Sequence, residues 1–439
     1  MAFITEPPAP HSPLILAEPD TSPGPFEGPE KLLEVWFAPC PDALPSPATS
    51  PINGSAAASH HREGVAPDGK PFLGLRNVPR AVWEDMLDIV KCKVLSVVEG
   101  DEIDAYCLSE SSMFVAPHVL ILKTCGTTLN LYGLHRIIDI ARRYCGLTTV
   151  WRCFYSRKSF FFPELQQGPH RDWKEEVTFL DKLFGATGSA YTVGPINRDH
   201  WLLYLTAPNQ KALRAVDGPE RPLALPCPRA AKGDQTLEIL MSHLSNEGRA
   251  PFFVPEGLEG TSGHKLGADI SRRLGIDQLF PQNETVLDAF GFEPCGYSSN
   301  AVIGTGMSAT GSDGGYFTIH VTPEEGWSYA SFECNVPLPD KDESAHGGRP
   351  DLRSLVRRVV DIFQPNRLSI TLFVSTERDH DATHEHAWSA IGGDLVREFD
   401  RKDRIGYEFD GYDLVFGCYE RRGWTEPPSP VVASKATFE

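Results

Sequence analysis

The chain has 439 residues, 41% of them apolar, which is enough for a substantial core. That length allows about three average domains or one large β-rich unit. A formal net charge of −18 argues against a nucleic-acid partner, which would need a basic face, and is compatible with a protein that handles a cationic small molecule.

Residues 1–25 are proline-rich and are expected to be disordered, residues 26–425 form one folded domain, and 426–439 read as a disordered tail. Helical periodicity is read at 29–37, 83–90, 134–145, 175–183, 236–244 and 352–363. Short apolar or alternating runs at 94–98, 112–115, 119–124, 201–205, 316–321, 329–332, 368–374 and 414–416 read as strands. Small, polar, Pro/Gly-rich stretches near 41–69, 207–233, 302–314, 340–351 and 376–386 are surface breaks. Many strands, fewer helices and no regular βαβ alternation point to an antiparallel α+β fold. The ten cysteines form no CxxC pair and no Cys/His cluster, so neither a zinc site nor a disulfide framework is expected. No basic leader precedes an apolar stretch and no run approaches membrane-spanning length, so reduced thiols in a cytoplasmic protein are expected.

Several residue groups could carry chemistry. Glu110-Ser111-Ser112 places a hydroxyl just after a peptide bond that it could attack, although most Ser pairs are turn or capping residues. Alternation puts Lys123 and Cys125 on one strand face, and Tyr316, Thr318 and His320 on the polar face of another. Glu27 and Glu30 flank Pro29 at an expected helix start, where carboxylates meet the helix dipole. Asp234 reads as a helix cap, and Glu238, four residues on, shares its helical face.

Five segments fall in one order: Phe26–Trp36 (FEGPEKLLEVW), residues 106–128 (YCLSESSMFVAPHVLILKTCGTT), Asp234–Met241 (DQTLEILM), Pro294–Ser298 (PCGYS) and Tyr316–Glu324 (YFTIHVTPE). Together they closely resemble the eukaryotic pyruvoyl-dependent S-adenosylmethionine decarboxylase proenzymes, in patches from about 26 to 416. The resemblance implies a four-layer αββα sandwich, two antiparallel sheets flanked by helices. It implies autocatalytic serinolysis between Glu110 and Ser111, giving a β chain 1–110 and an α chain 111–439 that begins with a pyruvoyl group made from Ser111. That group would form a Schiff base with S-adenosylmethionine and serve as the electron sink for loss of CO2, giving S-adenosylmethioninamine for spermidine synthesis.

By the same resemblance, His320 is the general base of the β-elimination, Ser298 assists processing, and Cys125 protonates the α-carbon after decarboxylation. Glu27 and Glu30 support processing and catalysis. Phe26 and Phe292 clamp the adenine, Glu324 takes the ribose hydroxyls, and the Glu110 backbone touches the purine. Glu34, Lys123, Phe154, Ser156, Asp234, Thr236, Glu238 and Glu333 match the site at which putrescine activates some family members, and such members are commonly homodimers. No metal is implied. Other readings are a catalytically weak regulatory paralogue, a non-enzymatic binding scaffold, and a cysteine hydrolase pairing Cys125 with His320, for which the sequence offers no family context.

Overall fold

The computed structural model describes residues 26–44, 62–109, 111–209, 235–304, 315–339, 341–375, 388–392, 395–409 and 411–427. The expected N-terminal extension, Glu110, Asp234 and much of the expected surface breaks lie outside those residues.

Sixteen strands among the described residues build two sheets. The first holds β1 (Lys31–Trp36), β2 (Val94–Glu99), β3 (Asp104–Leu108), β4 (Ser111–Val115), β5 (Val119–Thr124), β6 (Arg152–Lys158), β7 (Gly188–Val193) and β8 (Trp201–Thr206). The second holds β9 (Gln235–Leu244), β10 (Thr285–Gly291), β11 (Tyr297–Ile303), β12 (Gly315–Thr322), β13 (Tyr329–Cys334), β14 (Pro365–Ser375), β15 (Phe399–Phe409) and β16 (Tyr412–Arg421). Every pairing is antiparallel. The first sheet runs β2-β3-β4-β5-β1-β6-β8-β7 and the second β10-β11-β12-β13-β9-β14-β16-β15, the same order with each label raised by eight. Each sheet is one copy of a single eight-strand topology.

Alternation along the strands separates the layers. Leu33, Val35, Leu120 and Leu122 face Trp83 of α1 (Arg80–Ile89), Ile137 of α2 (Gly133–Cys145) and Leu180 of α3 (Trp173–Phe184). Ile239, Met241, Ile319 and Phe332 of the second sheet face Ile270 of α4 (Gly263–Leu274) and Leu355 and Val359 of α5 (Leu352–Phe363). The opposite faces meet: Leu32, Phe114 and Ile121 pack on Val302 and Tyr316, and Leu203 and Leu205 pack on Leu240, Tyr329 and Phe416. The result is the expected αββα sandwich. The helix starts are locally encoded, since Asp172 accepts the Lys174 amide at 2.7 Å and Asp351 the Ser354 amide at 2.8 Å.

Two expected helices are strands. Residues 29–37 contain β1 and 236–244 lie in β9. Both are interior strands covered on two faces, so apolar residues recur on each face and the period-two signal is lost. Glu27 and Glu30 therefore do not meet a helix dipole, and Glu238 sits on a strand rather than a shared helical face with Asp234. Helix α4 and strands β3, β6, β7, β10, β11 and β15 were not expected; β11 (YSSNAVI) is too polar to read as a buried strand, although all seven of its residues are buried. Eight cysteines are free thiols, but Cys40 is disulfide-bonded, contrary to the expectation of uniformly reduced thiols. No helix among the described residues is long and apolar enough to cross a membrane.

Candidate active site between the two sheets

Ser111 opens β4, paired with Leu108 of β3 and Thr124 of β5. Its φ is +123°, a region in which a side-chain-bearing residue is strained by about 1–3 kcal/mol. The residue is buried, and its Oγ has no hydrogen-bond partner among the described residues. A strained backbone and an uncommitted hydroxyl thus coincide at the one residue whose hydroxyl would have to attack the preceding carbonyl.

The next side chain, Ser112, crosses to the second sheet. Its Oγ donates to Asn300 Oδ1 at 2.6 Å and lies 3.1 Å from His320 Nε2 and 3.2 Å from Thr318 Oγ1. His320 Nδ1 shares a 2.9 Å hydrogen bond with Ser298 Oγ, and β11–β12 pairing sets these two residues directly opposite. Ser112 has one proton and gives it to Asn300, so toward His320 it accepts. Thr318 Oγ1 lies 2.9 Å from the same Nε2, so the ring is held at both nitrogens by hydroxyl groups. Burial pushes the His320 pKa down to about 3, helped by the charge of Lys123, so the ring is neutral at physiological pH.

Cys125 follows β5 and is buried. Its turn is pinned by Thr128 Oγ1, which donates to the Cys125 carbonyl at 2.7 Å, and by the Gly126 amide, which donates to the Glu27 carbonyl at 2.9 Å. The Glu27 carboxylate accepts the amides of Phe161 and Phe162 at 2.8 and 2.7 Å. Burial nevertheless raises its pKa to about 7. Glu30 accepts Tyr329 Oη at 2.9 Å and the Ser331 hydroxyl, and burial raises its pKa as well. The structure thus brings Glu27 to the Cys125 turn and Glu30 to the gap between the sheets.

A charged cluster lies beside the neutral one. Lys123 Nζ, fully buried, bonds Glu333 Oε2 at 2.7 Å and Glu238 Oε1 at 3.1 Å. Strand pairing places Glu238 directly opposite Glu333, with Thr371 on its other side. Tyr316 Oη donates to Glu333 Oε1 at 2.6 Å. Burial alone would lower the Lys123 pKa, but Glu333, Glu238 and Glu30 raise it, so the ammonium stays charged. Burial raises that of Glu238. Glu34 and Phe154 pair across β1 and β6, on the same inner face as Ser156 and Lys123. The Phe154 ring lies 5.7 Å from Tyr412, 6.1 Å from Phe373 and 5.0 Å from the Arg152 guanidinium. Thr236 shares the inner face of β9 with Glu238. These residues form a cluster rich in carboxylate and rimmed by aromatic rings.

The nucleoside-binding expectation is less assembled. Phe26 precedes β1 and Phe292 follows β10; each is half-buried, and no ring contact joins them among the described residues. The Phe292 ring is 4.9 Å from Phe290. Half-buried Glu324 has its pKa raised by burial.

Ser112, Asn300 and Thr318 join the site without being expected there, as does Lys31 under the Cys125 turn. For Thr318 a signal existed, since it alternates with His320 on one polar strand face. The Ser112–Asn300 contact spans 188 positions and exists only because the sheets face each other.

The Adenosylmethionine decarboxylase family model matches residues 24–420. The chain is 38% identical over 397 residues to a Xenopus laevis S-adenosylmethionine decarboxylase proenzyme, covering 90% of this chain and 95% of the relative. It is 31% identical over 415 residues to the Saccharomyces cerevisiae proenzyme, covering 89% and 91%. Against the Caenorhabditis elegans proenzyme it is 36% identical over 362 residues, covering 82% and 80%.

Proposed function

The chain belongs to the adenosylmethionine decarboxylase family, whose enzymes decarboxylate S-adenosylmethionine for polyamine synthesis, and we propose that it gains that activity by cutting itself between Glu110 and Ser111. The observation that carries this reading is Ser111, strained at φ +123° with a buried hydroxyl that no described group engages. In the proposed step Ser111 Oγ attacks the Glu110 carbonyl carbon, the C–N bond breaks as the hydroxyl proton passes to the Ser111 nitrogen, and an ester replaces the amide. Relief of about 1–3 kcal/mol of backbone strain favours it. His320, held neutral by burial and aligned by Ser298 and Ser112, accepts the Ser111 α-proton in the elimination that follows.

That elimination breaks the Ser111 Cβ–Oγ bond and releases the Glu110 carboxylate, water converts the imine tautomer of the dehydroalanine to a ketone with loss of ammonia, and the pyruvoyl group that results supplies the electron sink for decarboxylation. Around it, Cys125 gives a proton to the substrate's α-carbon, and Phe26 and Phe292 hold the adenine, with the Glu110 backbone against the purine. Glu324 accepts the ribose hydroxyls, and Glu27 and Glu30 support processing and catalysis. Intact mass of the purified chain tests the central claim. Fragments 1–110 and 111–439 are expected, the larger lighter by one ammonia than simple hydrolysis would leave it, and Ser111→Ala stays whole. A wild-type chain that remains intact sinks the reading and favours a regulatory or scaffold role.

We further infer that putrescine occupies the space beside Lys123, between Glu34, Glu238 and Glu333, with Asp234, Thr236, Phe154 and Ser156 around it. Support comes from the charge balance, in which one ammonium serves Glu30, Glu238 and Glu333, so a dication is favoured there. At a hundredfold excess over its Kd, putrescine should stabilise the fold by about 2.7 kcal/mol. An unmoved denaturation midpoint would exclude the site. Association of cleaved protomers into a homodimer completes the proposal, and sedimentation equilibrium tests it.

A further inference from the structure

The bond read as the cleavage site lies in a hairpin that the second sheet grips on both arms. Strands β3 and β4 pair from Asp104 with Val115 to Leu108 with Ser111, so only Ser109 and Glu110 stand between the last paired residues. A two-residue hairpin loop turns most easily through residues at positive φ, which is why glycine and asparagine favour it. Neither is present here, and a positive φ falls on Ser111 itself, inside the pairing. Strain of this kind persists only where the surrounding structure over-determines it.

Asn300, fully buried on β11 of the facing sheet, supplies that constraint. Its Nδ2 donates to the Tyr106 carbonyl of β3 at 3.0 Å, and its Oδ1 accepts from Ser112 Oγ of β4 at 2.6 Å. A carbonyl can only accept, so the Tyr106 bond fixes which way the amide points and leaves Oδ1 for the hydroxyl. One side chain therefore holds the arm before the cut and the arm after it. Asn300 is itself set between Asp288 and Thr318 by strand pairing, and Asp288 bonds Ser96 of β2 across the same gap. On the flank of the hairpin, the Ser109 amide donates to the Lys93 carbonyl at 2.8 Å and Ser109 Oγ accepts the Lys93 amide at 3.0 Å. The turn is braced from its side by Lys93 and from across the gap by Asn300.

We propose that Asn300 is a positioning residue for self-cleavage: by stapling both arms of the β3–β4 hairpin to the second sheet, it keeps Ser111 in the strained conformation from which its hydroxyl attacks. This rests on the reading of Glu110–Ser111 as the bond that cuts itself. Asn300 makes no hydrogen bond to Ser111 Oγ, so it acts through the backbone. Its role belongs to the first step, in which the Oγ–C bond forms, the C–N bond breaks and the hydroxyl proton passes to the Ser111 nitrogen. His320 serves the elimination that follows. The two residues share Ser112 as a neighbour, yet their loss has opposite consequences. Without His320 the ester accumulates; without Asn300 the amide does.

The test uses the full chain made by cell-free synthesis, so that processing starts at a known time. The uncut amide, the ester cleaved by added hydroxylamine and the finished fragments are followed by mass. Asn300→Ala should slow loss of the amide by about tenfold or more, as expected for two lost hydrogen bonds, with no build-up of ester. Asn300→Leu keeps the bulk but neither bond and should behave alike; it decides the matter if the alanine variant does not fold. Ester accumulating in these variants as it does in His320→Ala would mean that Asn300 acts only through Ser112 and His320, which overturns the proposal. So does a lowered urea midpoint with the amide lost at the wild-type rate, the mark of a merely structural residue. A wild-type chain that forms neither ester nor fragments sinks self-cleavage itself. Normal cutting in wild type beside unaffected Asn300 variants sinks only the role of Asn300.

Discussion

Ser112 and Lys123 stand opposite each other on β4 and β5, yet they meet different chemistry across the gap. Ser112 reaches Asn300, Thr318 and His320, a set of neutral groups bound by hydrogen bonds, and burial keeps the imidazole uncharged. Lys123 reaches Glu238 and Glu333, where charge is retained inside the protein. Thr318 and Glu333 are themselves paired across β12 and β13, so the two clusters are one register step apart. The difference teaches that one inter-sheet space can hold both kinds of site. Neutral partners satisfy one another and leave a lone pair for proton transfer. Among the described residues the charged partners share one ammonium, Lys123, and burial raises the pKa values of Glu30 and Glu238 beside it.

The contrast breaks most visibly if each cluster loses its central group. His320→Ala should slow completion of processing by about 100-fold or more, because the neutral base is gone; the ester that accumulates is measured by its cleavage with hydroxylamine. Wild-type processing in that variant would mean that the neutral cluster is only structural. Lys123→Met strands Glu238 and Glu333 in the interior and should cost about 3–5 kcal/mol, read from urea denaturation. A loss under 1 kcal/mol would mean that the carboxylates are already neutralised in another way.

The pH dependence of Glu27 sharpens the comparison, since it is a carboxylate buried outside the charged cluster. Its pKa rises from 4.5 to about 7 through burial, so the fold favours the protonated form. Its contribution is therefore complete below pH 4.5 and is lost as pH climbs through 7, a change of about 3 kcal/mol. Glu27→Gln cannot ionise and should flatten the stability profile across that window; a profile as steep as wild type would assign the slope to other groups. The smallest effect is expected at Thr128→Val, which removes the bond to the Cys125 carbonyl and should cost about 1 kcal/mol in thermal or urea unfolding.

The helices with one buried face were legible in the sequence. In α2 and α5 apolar residues recur at helical spacing because one side meets a sheet and the other meets water. The same logic exposed the polar face of β12, with Thr318 and His320 on it. It failed at β1 and β9, where burial on both faces erased the alternation that marks a strand. With those two strands misread as helices, Glu27 and Glu30 looked like helix-end carboxylates instead of buried acids whose pKa values are raised. The candidate site was legible mainly through motifs in one order, which name the residues without placing them.

By itself, the sequence determined which groups are available: a serine after a peptide bond it can attack, a histidine on a polar strand face, a cysteine beyond a strand end, and an excess of carboxylates. Short-range periodicity and side-chain chemistry suffice for that, because they depend on neighbours within a few residues. Only the tertiary structure decided that Ser112 meets Asn300, that Lys123 is enclosed by Glu238 and Glu333, and that Lys31 lies under the Cys125 turn. These contacts join residues up to 210 positions apart. They arise where two twice-covered sheets press their inner faces together and remove water, and that removal makes hydrogen bonds obligatory and moves each pKa.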